Sequence, residues 1–128
     1  MSDKPTPTES ELRILKVLWE CGPSTVKEIQ KSLDREAGYT TVLKLLQIMY
    51  EKELVDREKE GRAHRYRSLL DQEETQQKML GEFSDQLFGG SMQQLVQRAV
   101  TSKKLKHGEL EELEQLLKQL KQEESPDD

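Results

Sequence analysis

Apolar residues recur along this chain at two spacings, and the changes of spacing mark its elements. From Leu12, the positions Leu15, Leu18 and Trp19 follow on one face of a helix. Thr8 precedes them with Glu11 three residues on, an arrangement in which hydroxyl and carboxylate each satisfy a backbone N–H left unpaired by the first turn. Gly22-Pro23 ends that helix. Thr25 and Glu28 repeat the capping pattern around Val26, Ile29 and Leu33, which predicts a short second helix stopping near Asp34. After Gly38, the residues Val42, Leu45, Leu46 and Met49 are spaced i, i+3, i+4, i+7 and form the stripe of a third helix. The period then falls to two. Val55, Arg57 and Lys59, then Ala63, Arg65 and Arg67, alternate around Glu60-Gly61 and read as a β-hairpin.

Three short helices followed by a hairpin make a winged helix-turn-helix over residues 1–70. Residues 71–128 read differently. Asp71-x-x-Glu74 and Ser91-x-x-Gln94 are two more helix starts, separated by Gly89-Gly90. The first of these helices shows Met79, Leu80, Phe83 and Leu87, and the second Met92, Leu95, Val96, Ala99 and Val100. In the last, Leu110, Leu113, Leu117 and Leu120 repeat at coiled-coil spacing, with Leu116 widening the stripe. Each helix has one apolar face and little else to cover it, so burial against a second copy is expected, through Phe83, Leu87, Leu95, Val96, Leu110, Leu113, Leu117 and Leu120. The fold class is therefore mainly α with a small β wing, a DNA-binding-type module followed by a helical dimerisation domain. The N-terminal MSDKPTP and the final KQEESPDD are expected to lack structure.

Charge changes the picture of the first half. The net charge of -5 argues against a nucleic-acid protein on average, but residues 1–70 carry thirteen Lys/Arg against twelve Asp/Glu, and residues 71–128 seven against thirteen. Gly61 to Leu70 contains Arg62, Arg65 and Arg67 and no carboxylate, a local basic strip. The single Cys21 cannot form an internal disulfide and is expected to be at least half-buried. With no apolar run long enough to span a bilayer and no leader-like segment, a cytoplasmic protein without membrane insertion is expected.

The third helix carries the candidate chemistry. Opposite its apolar stripe lie Thr40, Lys44, Gln47 and Glu51, with Thr41 beside them. Short hydroxyl, amide and ammonium side chains are what a helix in the major groove presents to phosphates and base edges. Thr40, Thr41, Lys44 and Gln47 are therefore the candidate DNA contacts, with Lys59, Arg62 and Arg65 of the hairpin along the flanking backbone. No enzyme site is visible. His64 and His107 lie far apart without metal-ligand partners at helical spacing, and no Gly-rich phosphate loop follows a strand, so neither metal nor cofactor is expected. A rival from another class is a protein-interaction adaptor using the same fold, which the net charge favours and the carboxylate-free strip opposes.

LRILKVLWECGPSTVKEI, YTTVLKLLQIMYEKELVDREKEGRAHRYR and LFGGSMQQLV together resemble the penicillinase-repressor family, the BlaI/MecI/CopY group of bacterial transcriptional regulators, over residues 8–120. The resemblance implies a homodimer that binds a palindromic DNA operator through its winged helices and represses by occupying a promoter. On it, the recognition helix maps to Thr40–Tyr50 and the wing to Lys59–Arg65. Family members often carry Arg at the place of Ile48 and Gly at that of Glu53. The copper-responsive branch has a Cys-x-Cys pair that this chain lacks. The β-lactam-responsive branch is cut by a membrane sensor-protease at an Asn-Phe bond, where this chain has Arg98-Ala99.

Overall fold

The first two helices begin where a threonine and a glutamate exchange hydrogen bonds. The computed structural model describes residues 4–33, 37–102 and 105–124. In α1 (Glu9–Cys21) the Thr8 hydroxyl accepts the Glu11 N–H at 3.2 Å, and Glu11 Oε1 accepts the Thr8 N–H at 2.9 Å. In α2 (Val26–Ser32) Thr25 and Glu28 do the same at 3.3 and 3.0 Å. Its C-cap is Leu33, and the expected stop at Asp34 lies outside the described residues.

α3 (Tyr39–Glu51) ends differently. The Glu53 N–H donates to the Tyr50 carbonyl and the Leu54 N–H to that of Met49, the paired bonds of a Schellman cap, with Glu53 at a φ of 64°. That left-handed position favours glycine, because a Cβ there crowds the carbonyl. Leu54 and Met49 are both wholly buried beside it, supplying the apolar contact that accompanies such caps.

Ile14, Leu15, Val17 and Leu18 of α1 meet Val26 and Ile29 of α2, and Val42, Leu46 and Met49 of α3, in one core. Burying each such side chain contributes roughly 1.5–3 kcal/mol relative to exposure. The core is closed by Leu54, by Val55 of β2 (Val55–Glu60) and by Tyr66 of β3 (Ala63–Ser68). β2 and β3 form the expected hairpin, with Glu60 paired to Ala63 across the two-residue turn Gly61-Arg62, where Gly61 takes a φ of 63°. A third strand was not foreseen: β1 (Ser24–Thr25) pairs antiparallel with β3, giving the sheet order β1-β3-β2. Two residues after a proline offer no periodicity to read. The indole N–H of Trp19 donates to the Leu70 carbonyl at 2.9 Å and to Ser68 Oγ at 3.1 Å, fixing α1 to the end of the sheet.

Three further helices follow: α4 (Gln72–Phe88), α5 (Met92–Thr101) and α6 (Glu109–Glu124). Asp71 Oδ2 caps the N–H of Glu74, and Ser91 Oγ that of Gln94, as the spacings indicate. The chain divides into two compact units, residues 1–79 and 80–128. In the first unit the start of α4 is tied down, since Lys78 Nζ donates to the Lys4 carbonyl and Lys4 Nζ to that of Leu69.

Three local expectations need correction. Of MSDKPTP, Pro7 is buried and Lys4 is held by those bonds, while Pro5 is exposed; residues 1–3 lie outside the described residues. Of KQEESPDD, Lys121 to Glu124 continue α6 and the rest is not described. Cys21 is exposed: it occupies the last position of α1, beside an open groove lined by Ile14, Val17, Leu33 and Ala37. No helix of the described residues is long and apolar enough to cross a membrane.

Candidate nucleic-acid interface

Because Val42, Leu46 and Met49 point into the core, the opposite side of α3 is turned outward. Thr40, Thr41, Lys44 and Gln47 are all exposed, and none has a hydrogen-bond or ion-pair partner among the described residues. Leu45, placed in the apolar stripe, is only partly buried. The helix start is also open. Its N-cap Gly38 offers no side-chain bond and its first turn has no acidic residue, whereas α1 and α2 spend a hydroxyl and a carboxylate on theirs. An uncapped helix N-terminus leaves backbone N–H groups and the positive end of the helix dipole available to an anion.

The hairpin sorts its charge by face. Successive strand residues point to opposite sides, so Val55, Arg57 and Lys59 share the core side of the sheet with their partners Ser68, Tyr66 and His64. This inner face carries no carboxylate. Asp56, Glu58 and Glu60 share the outer face with their partners Arg67, Arg65 and Ala63. The basic strip in the sequence is therefore matched in space by three acids from the facing strand.

Arg65 shows the consequence. Its guanidinium donates two bonds of 2.9 Å to the carboxylate of Glu60, one of 3.1 Å to Glu28 Oε1 and one of 3.0 Å to the Pro23 carbonyl. The Glu60 bonds, with the charges of both acids, hold Arg65 protonated well above its ordinary range. Glu60 is lowered chiefly by its bonds from Arg65, and Glu28 chiefly by the Thr25 N–H and then by the Arg65 charge. Arg67 in turn reaches Asp56 at 2.8 Å. Among the three arginines of the strip, Arg62 at the turn is exposed and has no ion-pair partner among the described residues. Lys59, exposed on the inner face, also has none.

Sequence reading missed Arg57. Its guanidinium carbon lies 4.0 Å from the ring centre of Tyr50, so the last turn of α3 and the first half of β2 are joined by a cation–π contact. The alternation from Val55 to Lys59 was the available signal. His64 packs edge-on to Tyr66, with ring centres 6.2 Å apart.

The residues assigned to dimerisation are uncovered in the single chain. Phe83, Leu87, Val96, Leu110, Leu117 and Leu120 are roughly half exposed, while Leu95 and Leu113 are half-buried. Leu80, Met92, Val100 and Leu116 are exposed too, and neither α5 nor α6 has a buried residue. Among the described residues no group of three or more His, Cys, Asp or Glu is placed to hold a metal ion.

The chain is 26% identical over 110 residues to a penicillinase repressor of Staphylococcus aureus, covering 84% of this chain and 87% of that protein. It is 25% identical over 114 residues to the methicillin resistance regulatory protein MecI of Mammaliicoccus sciuri, covering 86% and 91%. Among solved structures, the DNA binding domain of the repressor BlaI matches with a TM-score of 0.50 and 26% identity, over 56% of this chain and 90% of that one. The profile of the family described as Penicillinase repressor matches residues 7–119, and the chain belongs to that family.

Proposed function

We propose that this chain is a transcriptional repressor, not an enzyme, that acts in the cytoplasm as a homodimer on a palindromic DNA operator. The observation that carries the reading is the outward face of α3, where Thr40, Thr41, Lys44 and Gln47 stand exposed beside an uncapped helix start. Inserted in a major groove, the hydroxyls and open amides suit phosphates at the groove edge. Lys44 suits a guanine edge and Gln47 an adenine edge. Lys59 and Arg62 add sequence-independent attraction from the wing. Arg65 takes a different part from the one its sequence position suggests: with Glu28 and Glu60 it braces the wing against the start of α2.

Dimerisation is supported by the uncovered leucines of the second unit, whose burial needs a partner surface. It also serves the mechanism. One dimer engaging two half-sites turns a module's weak binding into useful affinity through effective concentration. The protein-adaptor reading loses some of its counterargument, because the basic strip is neutralised on the outer face. What opposes it now is the carboxylate-free inner face of the wing beside α3. A gel shift on DNA from the chain's own upstream region tests the reading, with a complex of two chains per duplex expected. Failure to shift that DNA, with unrelated duplex equally unbound, would remove it. Induction by a sensor-protease acting at Arg98-Ala99 has one supporting fact, the exposure of both residues on α5. An unaltered chain mass after induction in cells would dispose of it.

A further inference from the structure

We infer that Arg57 is a phosphate-binding residue of the DNA interface, held in its binding orientation by the ring of Tyr50. This rests on the reading of the chain as a DNA-binding repressor and adds a contact that the sequence pattern did not single out. An arginine laid flat on an aromatic ring keeps its N–H edge free, and that planar edge matches two phosphate oxygens. The Arg57 guanidinium carbon lies over the Tyr50 ring, 4.0 Å from its centre, and its side chain has no hydrogen-bond or ion-pair partner among the described residues.

The arginines of the opposite face provide the contrast. Arg65 and Arg67 are each engaged by carboxylates at 2.8–3.1 Å, so their charge is already balanced within the protein. The free positive charge of the strands is thus confined to the face shared by Arg57 and Lys59, with His64 across from Lys59 and no acid among them. Tyr50 belongs to the same helix as Lys44 and Gln47, so the stack links the wing's cations to the helix proposed to enter the groove. A backbone strand flanking that groove would meet Arg57 and Lys59 in succession. The ring contact favours one orientation of the Arg57 guanidinium, so less rotamer freedom is lost when it binds.

The test is the salt dependence of binding to a duplex that the wild-type chain shifts, measured by fluorescence anisotropy for four variants. Arg57→Ala should weaken binding roughly tenfold and lower the slope of log affinity against log salt by about one. Arg57→Lys should keep the slope and lose several-fold in affinity, because an ammonium does not form the flat, forked contact. Tyr50→Leu should likewise lose several-fold with its slope intact, and Tyr50→Phe should bind as wild type, since only the ring is used. A merely structural effect of Arg57→Ala would lower affinity without changing the slope, and that result overturns the inference. So does an Arg57→Ala chain with wild-type affinity, while a Tyr50→Leu chain with wild-type affinity overturns the role given to the ring. If the wild-type chain binds no duplex at any salt concentration, the repressor reading itself fails and this inference with it.

Discussion

Glu11 and Lys52 join the start of α1 to the end of α3. The carboxylate is only 2% exposed: Oε1 accepts the Thr8 N–H at 2.9 Å and Oε2 the Lys52 ammonium at 2.8 Å. One side chain therefore caps a helix and fixes the angle at which the proposed recognition helix leaves the core. Glu11→Ala loses both bonds and leaves the Thr8 amide short of a partner, and should cost about 3 kcal/mol. Glu11→Gln, which keeps the cap and loses the charge, should cost about half as much. Urea unfolding midpoints check both, and an Ala variant within about 0.5 kcal/mol of wild type would deny the pair its structural role.

Glu53 occupies the left-handed position of a complete Schellman cap. Glu53→Gly should stabilise the chain by about 1 kcal/mol: relief of the Cβ clash outweighs the added freedom of the unfolded glycine. Thermal unfolding should show a higher midpoint, and a lower one would mean that the glutamate side chain contributes something that outweighs its strain. The cap forms with glutamate in place.

The Arg65 brace has a pH signature. Glu60 and Glu28 are both held below the ordinary carboxylate value of 4.5 in the folded chain. A carboxylate whose folded value is depressed contributes stability that is present above the unfolded value and lost as pH falls through the folded one. The stability difference between wild type and Arg65→Met should therefore be largest near neutrality and shrink as the pH is taken well below 4.5. A difference that stays constant across that window would mean the brace acts through packing and not through charge.

Leu113→Glu combined with Leu117→Glu places two carboxylates in the apolar stripe of α6 without touching the winged helix. Sedimentation should show monomers, and far-UV circular dichroism little loss of the first unit's helices. Persistent dimers would place the interface on another face of the second unit.

Much of this molecule was legible because its local rules agree with its fold. The capping pairs at Thr8, Thr25, Asp71 and Ser91 all stand where the spacing put them. The stripe of α3 gave its buried side, and hence its exposed one, from helical geometry alone. What was not legible was pairing across the chain. Gly61 to Leu70 looked basic because its neutralising acids, Asp56 and Glu60, belong to the strand before the turn, and Glu28 to a helix thirty-seven residues from Arg65. Alternation could have separated Arg57 and Lys59 from Arg65 and Arg67, had the strip been read by face and not by composition. Tyr50 and Arg57 are seven positions apart on different elements, and only the fold brings them together.

That the outward face of α3 reads a duplex is tested most directly by anisotropy titrations of wild type and Lys44→Ala. Each would be titrated against DNA from the chain's own upstream region and a scrambled duplex of equal length. Wild type should prefer the upstream duplex by on the order of a thousandfold. Lys44→Ala should lose roughly tenfold or more of that preference while still binding scrambled DNA. Equal affinity of the wild-type chain for the two duplexes, or a preference undiminished in Lys44→Ala, would contradict the claim.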